Sequence, residues 1–195
     1  MSIFISIASY QDPLLVSTIF SAYENAENKN DLIFSICDQS DNTIDINGVT
    51  FSDQIHYDHV DPLFSKGPCW ARHRAQSFFN EEDFFLQVDS HTQFAPEWDS
   101  IFIKQLEKIS ANQEIDEYFK KPIITSYPRS FKVLDFEKGL FELNTGDKHT
   151  QVITYRKDSL FLKGSFSRQI GIPTKHTDIT HAILLAAGCI FTKGA

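Results

Sequence analysis

The sequence predicts an α/β protein built on a mostly parallel, doubly wound sheet with helices on both faces. Three observations carry that expectation. Short apolar, β-branched runs alternate with segments of helical spacing through roughly the first two thirds of the chain. The runs close on polar turn residues such as Asp38-Gln39 and Asp89-Ser90. Hydrophobic residues make up 42% of the 195 positions, with 18 phenylalanines, which is enough for a packed interior.

The elements follow in order. Residues 2–9 form a first strand, and Asp12-Pro13 reads as the cap and first turn of a helix. On that helix Leu14, Leu15, Ile19, Phe20 and Tyr23 recur at helical spacing. A second strand, 32–37, ends on Asp38-Gln39-Ser40-Asp41. An Asn/Asp-rich loop leads to Val49-Thr50-Phe51 and Gln54-Ile55-His56-Tyr57, read as one or two further strands. Gly67-Pro68 opens a helix with Trp70, Ala71, Ala75, Phe78 and Phe79 toward the sheet and Arg72 and Gln76 on another side. The apolar strand 83–88 precedes a helix over 98–109 whose core positions are Ile101, Phe102, Leu106 and Ile109. Residues 122–127 form another strand, closed by Pro128. Beyond about residue 130 the pattern changes to short strand candidates, 152–155, 160–162 and 182–185, without long helices between them. No repeat, low-complexity linker or domain boundary stands out, so a single domain over 1–195 is expected.

Composition narrows the function classes. A formal charge of −8 argues against a nucleic-acid partner, which needs clustered Lys and Arg. Cys37, Cys69 and Cys189 are odd in number and far apart, with neither zinc spacing nor a disulfide framework, which fits a reducing compartment. Cys37 and Cys69 read as small buried hydrophobes. Met1 to Ser9 is apolar but begins without a basic region, and no stretch approaches a membrane span, so a cytoplasmic protein is expected.

The feature that carries chemistry is Asp89-Ser90-His91, at the end of the apolar run Asp83-Phe84-Phe85-Leu86-Gln87-Val88. It places two metal-capable side chains beyond the carboxyl end of a strand, where open α/β sheets keep their ligands. A carboxylate oxygen and an imidazole nitrogen suit Mn²⁺ or a related divalent ion such as Mg²⁺, and such an ion can hold a diphosphate. Continued in an extended turn, Asp89 and His91 would point to the same side and share one ion. The plain alternative is a capped turn followed by a surface histidine.

Four segments in order carry a family pattern: Ser6-Ile7-Ala8-Ser9-Tyr10-Gln11-Asp12-Pro13, Cys37-Asp38-Gln39, Gly67-Pro68-Cys69-Trp70-Ala71-Arg72, and Leu86-Gln87-Val88-Asp89-Ser90-His91 with Trp98-Asp99. Ala187-Gly188-Cys189-Ile190-Phe191 adds a weaker match, and Thr125-Ser126-Tyr127-Pro128 suits the same pattern. In this order the chain resembles the cytoplasmic N-acetylglucosaminyltransferases that modify hydroxyproline on a ubiquitin-ligase subunit, together with their bacterial relatives. More distantly it resembles the polypeptide N-acetylgalactosaminyltransferases, which share an Asp-x-His metal motif. The resemblance implies the GT-A fold, with 1–128 as the nucleotide-sugar-binding half and 129–195 as the start of an acceptor-side half. It also implies a UDP-sugar donor (UDP-GlcNAc above all), a protein or glycan hydroxyl acceptor, and a retaining transfer that gives an α-linkage. Relatives continue past the Ala-Gly-x-x-Phe stretch into an acidic Gly-Glu-Glu segment that completes the acceptor side and the metal site. This chain stops at Gly194-Ala195, so a C-terminally incomplete fold is expected, as either a truncated chain or a reduced homologue. A third metal ligand is expected past the last residue.

On that resemblance each candidate takes a role. Asp89 and His91 are metal ligands, and Ser90 is a contact to donor ribose or phosphate. Arg72, early in the helix opened by Gly67, is the phosphate or sugar contact, because helix amino termini and guanidinium groups both favour anions; its alternative is a surface arginine paired to a carboxylate. Ala8, Ser9 and Tyr10 offer backbone contacts and an aromatic face to uracil, and Asp38 or Gln39 its hydrogen-bonding edge. Asp12 reads as a helix cap, Trp98-Asp99 as core before sugar pocket, and His176, Asp178 and His181 as loop residues before a second metal cluster. Two further functions compete with the transferase reading. One is a non-catalytic nucleotide-sugar-binding module or inactive fragment. The other is a nucleotidyltransferase, disfavoured because Ser9-Tyr10-Gln11-Asp12 is neither Gly-rich nor basic.

Overall fold

Runs of β-branched and aromatic residues set the centre of the molecule. The computed structural model describes residues 1–46, 48–111, 121–135, 140–144, 151–155, 169–173 and 185–194. Strand β1 (Ile3–Tyr10) pairs in parallel with β2 (Leu32–Gln39) on one side and β4 (Phe84–Asp89) on the other. Strand β3 (Ile55–Val60) lies outside β2, also parallel. With β5 (Ile123–Thr125) and β10 (Cys189–Lys193), the sheet order is β3-β2-β1-β4-β10-β5. The chain first winds outward from β1 to β3, then returns to the far side of β1 as β4. That reversal is a topological switch point, where open α/β sheets form a crevice at their carboxyl ends.

Register decides what each face carries. Ile3, Ile5 and Ile7 align with Leu32, Phe34 and Ile36 and with Phe84, Leu86 and Val88. All nine side chains are buried in one cluster, packed with Leu15 and Ile19 of α1 (Leu15–Asn25) and Trp98, Ile103 and Leu106 of α3 (Trp98–Ser110). The opposite face, with Ala8 and Cys37, receives α2 (Pro68–Gln76) through Ala71 and Ala75, both fully buried. Only small residues let a helix approach the strands this closely. Helices therefore lie on both faces, as the sequence predicts.

Several local expectations change. Residues 49–51 form a turn and not a strand, because the chain uses Phe51 to fill the core, stacked on Tyr23 at 3.7 Å. On α3 the buried stripe runs through Trp98, Asp99, Ile103, Leu106 and Ile109, and Ile101 is exposed. The helix is turned toward its amino end by the Trp98 indole, which donates to the Ala22 carbonyl at 2.8 Å. Phe78, expected to face the sheet, is partly exposed and stacks on His56, and Phe20 is exposed to a similar degree. Cys69 is exposed, whereas Cys37 and Cys189 are buried. Phe191 is fully buried between Phe84 and Phe102, which accounts for the aromatic ending of the Ala-Gly-x-x-Phe stretch.

The chain divides into two compact units, Met1–Ile124 with Ile190–Ala195, and Thr125–Cys189. In the second, β6 (Phe131–Asp135) and β7 (Leu140–Leu143) form an antiparallel hairpin, irregular between Val133 and Asp135. Strands β8 (Gln151–Tyr155) and β9 (Gln169–Pro173) pair antiparallel, with Ile153 opposite Gly171. The strand expected at 152–155 is therefore present. The candidates at 160–162 and most of 182–185, like His176, Asp178 and His181, lie outside the described residues. No helix among the described residues is long and apolar enough to cross a membrane.

Asp99 is the polar keystone of the first unit. It is fully buried and accepts hydrogen bonds from the Glu27 and Asn28 amides, both at 2.9 Å, and from Asn28 Nδ2 at 3.1 Å. Burial pushes its pKa up, but these donors outweigh it and hold the carboxyl below the usual aspartate range. Its stabilising contribution is therefore present above the unfolded value near ~3.9 and is lost as pH falls through the lower folded value. Asp99→Ala leaves buried donors without an acceptor and is expected to cost roughly 2–4 kcal/mol. Denaturant unfolding at pH 7 and pH 3 tests both statements: the variant should be weaker at pH 7 and should lose the part of the acid dependence due to this group.

Candidate functional site at the carboxyl ends of the parallel strands

The site begins where β1 runs past its neighbour. Pairing with β2 continues to Tyr10, but pairing with β4 stops at Ala8, so Ser9 and Tyr10 project beyond the end of β4. Ser9 is buried, and its Oγ has no hydrogen-bond partner among the described residues. Tyr10, on the opposite face, is exposed.

Asp38 shares the face of Ser9, its register partner on β2, and is buried. Its Oδ2 accepts from Ser40 Oγ at 2.7 Å and from the Tyr57 hydroxyl at 2.8 Å, which holds the carboxylate still. Gln39 is committed internally: its Nε2 donates to the Ser9 carbonyl at 2.8 Å and its Oε1 accepts from Ser65 Oγ at 2.6 Å. The amide thus braces the end of β1 against the loop before α2. Of the two residues the sequence offers for recognition at this position, Asp38 is the one with an oxygen to spare among the described residues.

Gly67 starts α2 with φ 91°, a left-handed backbone that favours glycine, and Pro68 follows as the first helical residue. No side chain caps this helix, so its first N–H groups stay available to an anion. Four residues further, Arg72 reaches across to β4, where its Nη2 donates to Asp89 Oδ1 at 3.2 Å. Arg74 behaves differently. It grips Asp58 through two bonds of 2.6 and 2.7 Å and lies over the Trp70 ring at 5.0 Å, a structural pair on the same helix. Arg72, with one longer contact among the described residues, keeps most of its donors uncommitted. Cys37, beneath this helix, is pushed up to about 11 by burial, so it stays a protonated thiol and no nucleophile.

Asp89 is the last residue of β4 and faces α2; Ser90 and His91 turn away from it. The strand alternation expected to bring Asp89 and His91 to one side therefore ends at Asp89. Instead Ser90 Oγ and His91 Nδ1 meet at one atom, Asp12 Oδ2, each at 2.7 Å. The cap position of α1 is Leu14, which has no side-chain bond; Asp12 Oδ1 instead accepts from the Leu14 amide at 2.9 Å in the turn that leads into the helix, and so ties that turn to the β4 turn. Thr18 of α1 completes the tie: its hydroxyl donates to the Ser90 carbonyl at 2.7 Å and accepts from the Thr92 amide at 2.9 Å. Asp12 and Thr18 were not legible as turn-holding residues, since their signal is a contact across more than seventy residues. Trp98 and Asp99 serve the core, away from any sugar pocket, as the plainer reading of them had it.

The donor chemistry fits a divalent ion as far as it extends. Asp89 Oδ2 and His91 Nε2 have no partner among the described residues, and both side chains are well exposed, at 42% and 59%. No group of three or more His, Cys, Asp or Glu suited to a metal occurs among the described residues. A cavity lined by Met1, Asn28, Asp31 and Asp99 opens at the amino-terminal end of the sheet, but its carboxylates are already engaged by Met1 and by the loop after α1.

A mostly parallel sheet with helices on both faces and a switch point at β1 defines an open α/β protein with a crevice at the carboxyl ends of its strands. The chain belongs to the glycosyltransferase (GlcNAc) family, whose sequence model matches residues 43–195. The matched span includes Arg72, Asp89 and His91 and excludes Asp12 and Asp38. A search of curated proteins finds no match. Among solved structures, the chain is similar to S. aureus TarS 1–349 in complex with UDP-GlcNAc, with 14% identity and a TM-score of 0.49 over 64% of this chain and 34% of that one. For S. aureus TarS 1–349 alone the values are 14% and 0.48, over 64% and 35%. The chain thus spans about a third of the TarS chains it matches.

The bracing of Asp38 can be tested through Tyr57. Burial, and the hydrogen bond to the Asp38 carboxylate, raise its phenol to about 12. With an unfolded value near ~10, folding stability from this group is present below pH 10 and is lost between about 10 and 12. Tyr57→Phe is expected to flatten the alkaline limb of a stability–pH curve, and a limb unchanged from wild type would contradict the raised phenol.

Proposed function

We propose that this chain is a metal-dependent glycosyltransferase that moves N-acetylglucosamine from UDP-GlcNAc to a hydroxyl acceptor, with retention at the anomeric carbon. The observation that carries the reading is the Arg72–Asp89 contact at the switch-point crevice, with His91 on the turn directly after β4, in a chain of the GlcNAc glycosyltransferase family. The nucleobase lies over the ends of β1 and β2, where Asp38 accepts from its N–H edge, the orphaned Ser9 hydroxyl finds a partner, and Tyr10 supplies a ring to stack on. Ala8 and Gln39 shape this floor, and Ser90 lies against ribose or phosphate.

The diphosphate runs toward Gly67 and Arg72. The amino end of α2 and the guanidinium both answer negative charge there. Asp89 and His91 would hold Mn²⁺ or Mg²⁺. Such an ion would supply Lewis-acid stabilisation of the negative charge on the departing diphosphate. His91 must be neutral to serve as a ligand, so metal-dependent binding weakens at acid pH. For the acceptor, the sequence resemblance supports a hydroxylated protein side chain, or else a glycan hydroxyl.

A second reading, a module that binds the nucleotide sugar without turning it over, is favoured by the pair of metal-capable residues having no third companion among the described residues. Calorimetry with UDP and Mn²⁺, run beside a donor-hydrolysis assay, separates the two. The expected result is Mn²⁺-dependent UDP binding that Asp89→Ala weakens tenfold or more, about the worth of one lost charge-assisted contact, together with measurable release of the sugar. Binding without release would assign the second reading, and binding indifferent to Asp89→Ala would refute the metal site.

A further inference from the structure

We infer that Asp12 is a positioning residue that fixes the imidazole of His91 by accepting Nδ1–H, and so presents Nε2 as the metal-facing nitrogen. This rests on the metal reading of Asp89 and His91 given above. Asp12 lies outside the span matched by the family model, and sequence spacing shows it only as a helix cap.

The geometry is specific. A carboxylate only accepts, so at the 2.7 Å contact the hydrogen must sit on Nδ1. In a neutral imidazole that leaves Nε2 as a bare lone pair, the form a metal ion needs. The Asp12 carboxylate faces three groups that can donate to it, Ser90 Oγ, the Leu14 amide and His91 Nδ1, as an acceptor would. Carboxylates that orient a ligating histidine through its second nitrogen are a recurring feature of metal sites, and their loss costs about 10–100-fold in affinity.

The chain also aims Asp12 at this position. Gln11, immediately before it, adopts φ 50°, a left-handed conformation that is strained for a non-glycine residue. Gln11 is held there by its own amide, which donates to the Gln39 carbonyl at 3.0 Å, and by its side chain, which exchanges bonds with Asp41 at 2.8 and 3.3 Å. The backbone therefore turns sharply after β1 and swings Asp12 back over the β4 turn. Thr18 and Thr92 then fix the carbonyls of Ser90 and Asp89, at 2.7 and 2.8 Å. Both ends of the Asp12–His91 contact are thereby set by rigid elements, as a preorganised ligand requires.

The test uses the metal-free chain first. Two-bond ¹H–¹⁵N correlation at pH 7.5 should show His91 as the Nδ1–H tautomer, against the Nε2–H form that an unrestrained imidazole prefers. Asp12→Ala should release it to Nε2–H and lower Mn²⁺ affinity, read by electron paramagnetic resonance, by about 10–100-fold. Asp12→Asn can keep the Leu14 bond through its single carbonyl oxygen but then turns its NH2, a donor, toward His91 Nδ1, so it should retain the fold while shifting His91 to the Nε2–H tautomer and weakening Mn²⁺ binding as Asp12→Ala does. A wild-type Nε2–H tautomer, or Mn²⁺ affinity undiminished in Asp12→Ala, would overturn the inference alone. A wild-type chain with the Nδ1–H tautomer that binds no Mn²⁺ would overturn the metal reading beneath it.

Discussion

Everything at the candidate site depends on the register of three parallel strands. Ile3, Ile5 and Ile7 can be buried together with Leu32, Phe34 and Ile36 and with Phe84, Leu86 and Val88 in only one alignment. A slip of one residue would move each set of apolar side chains to the wrong face. That same alignment carries Ser9 and Asp38 to the α1 side of the sheet edge and Asp89 to the α2 side. The hydrophobic core thus acts as the ruler that spaces the polar groups, and no polar contact at the edge has to set the geometry by itself.

Two helices turn this edge into a crevice by different means. The α2 helix approaches closely because Ala71 and Ala75 leave nothing between it and the strands, and this proximity lets Arg72 span to β4. The start of α1 approaches through polar bonds, with Asp12 and Thr18 gripping the turn that follows Asp89. One side of the crevice is therefore set by packing and the other by hydrogen bonding. The polar side is the more easily broken by a single substitution, because each of its buried or half-buried donors needs its one acceptor.

The alternation of strand and helix was legible in the sequence through residue 128, because period and turn chemistry are local. The Asp-x-His turn, the Gly-Pro helix start and the exchange of helices between faces were legible for the same reason. What escaped was contact across distance. The sequence presents Asp12 as a cap, but its first oxygen holds the turn before α1 and its second serves residues 90 and 91. Val49 to Phe51 has the composition of a strand, yet Phe51 is worth more to the core as a stacking partner of Tyr23 than as a ladder residue. Ile101 keeps helical spacing with Leu106 but faces solvent, because the Trp98 indole and the Asp99 carboxylate set the rotation of α3. Asp89 and His91 look alike as an alternating pair, and they part because the strand ends between them.

We propose that the crevice beside β1 and β4 holds a nucleotide sugar through a metal ion on Asp89 and His91. Crystals grown with UDP and Mn²⁺ and measured at the manganese absorption edge test it most directly. One anomalous peak is expected at bonding distance from Asp89 and from Nε2 of His91, with the diphosphate beside Arg72 and the uracil over Ser9 and Asp38. A peak elsewhere on the chain, or UDP bound at this crevice without manganese between its phosphates and Asp89, would contradict it.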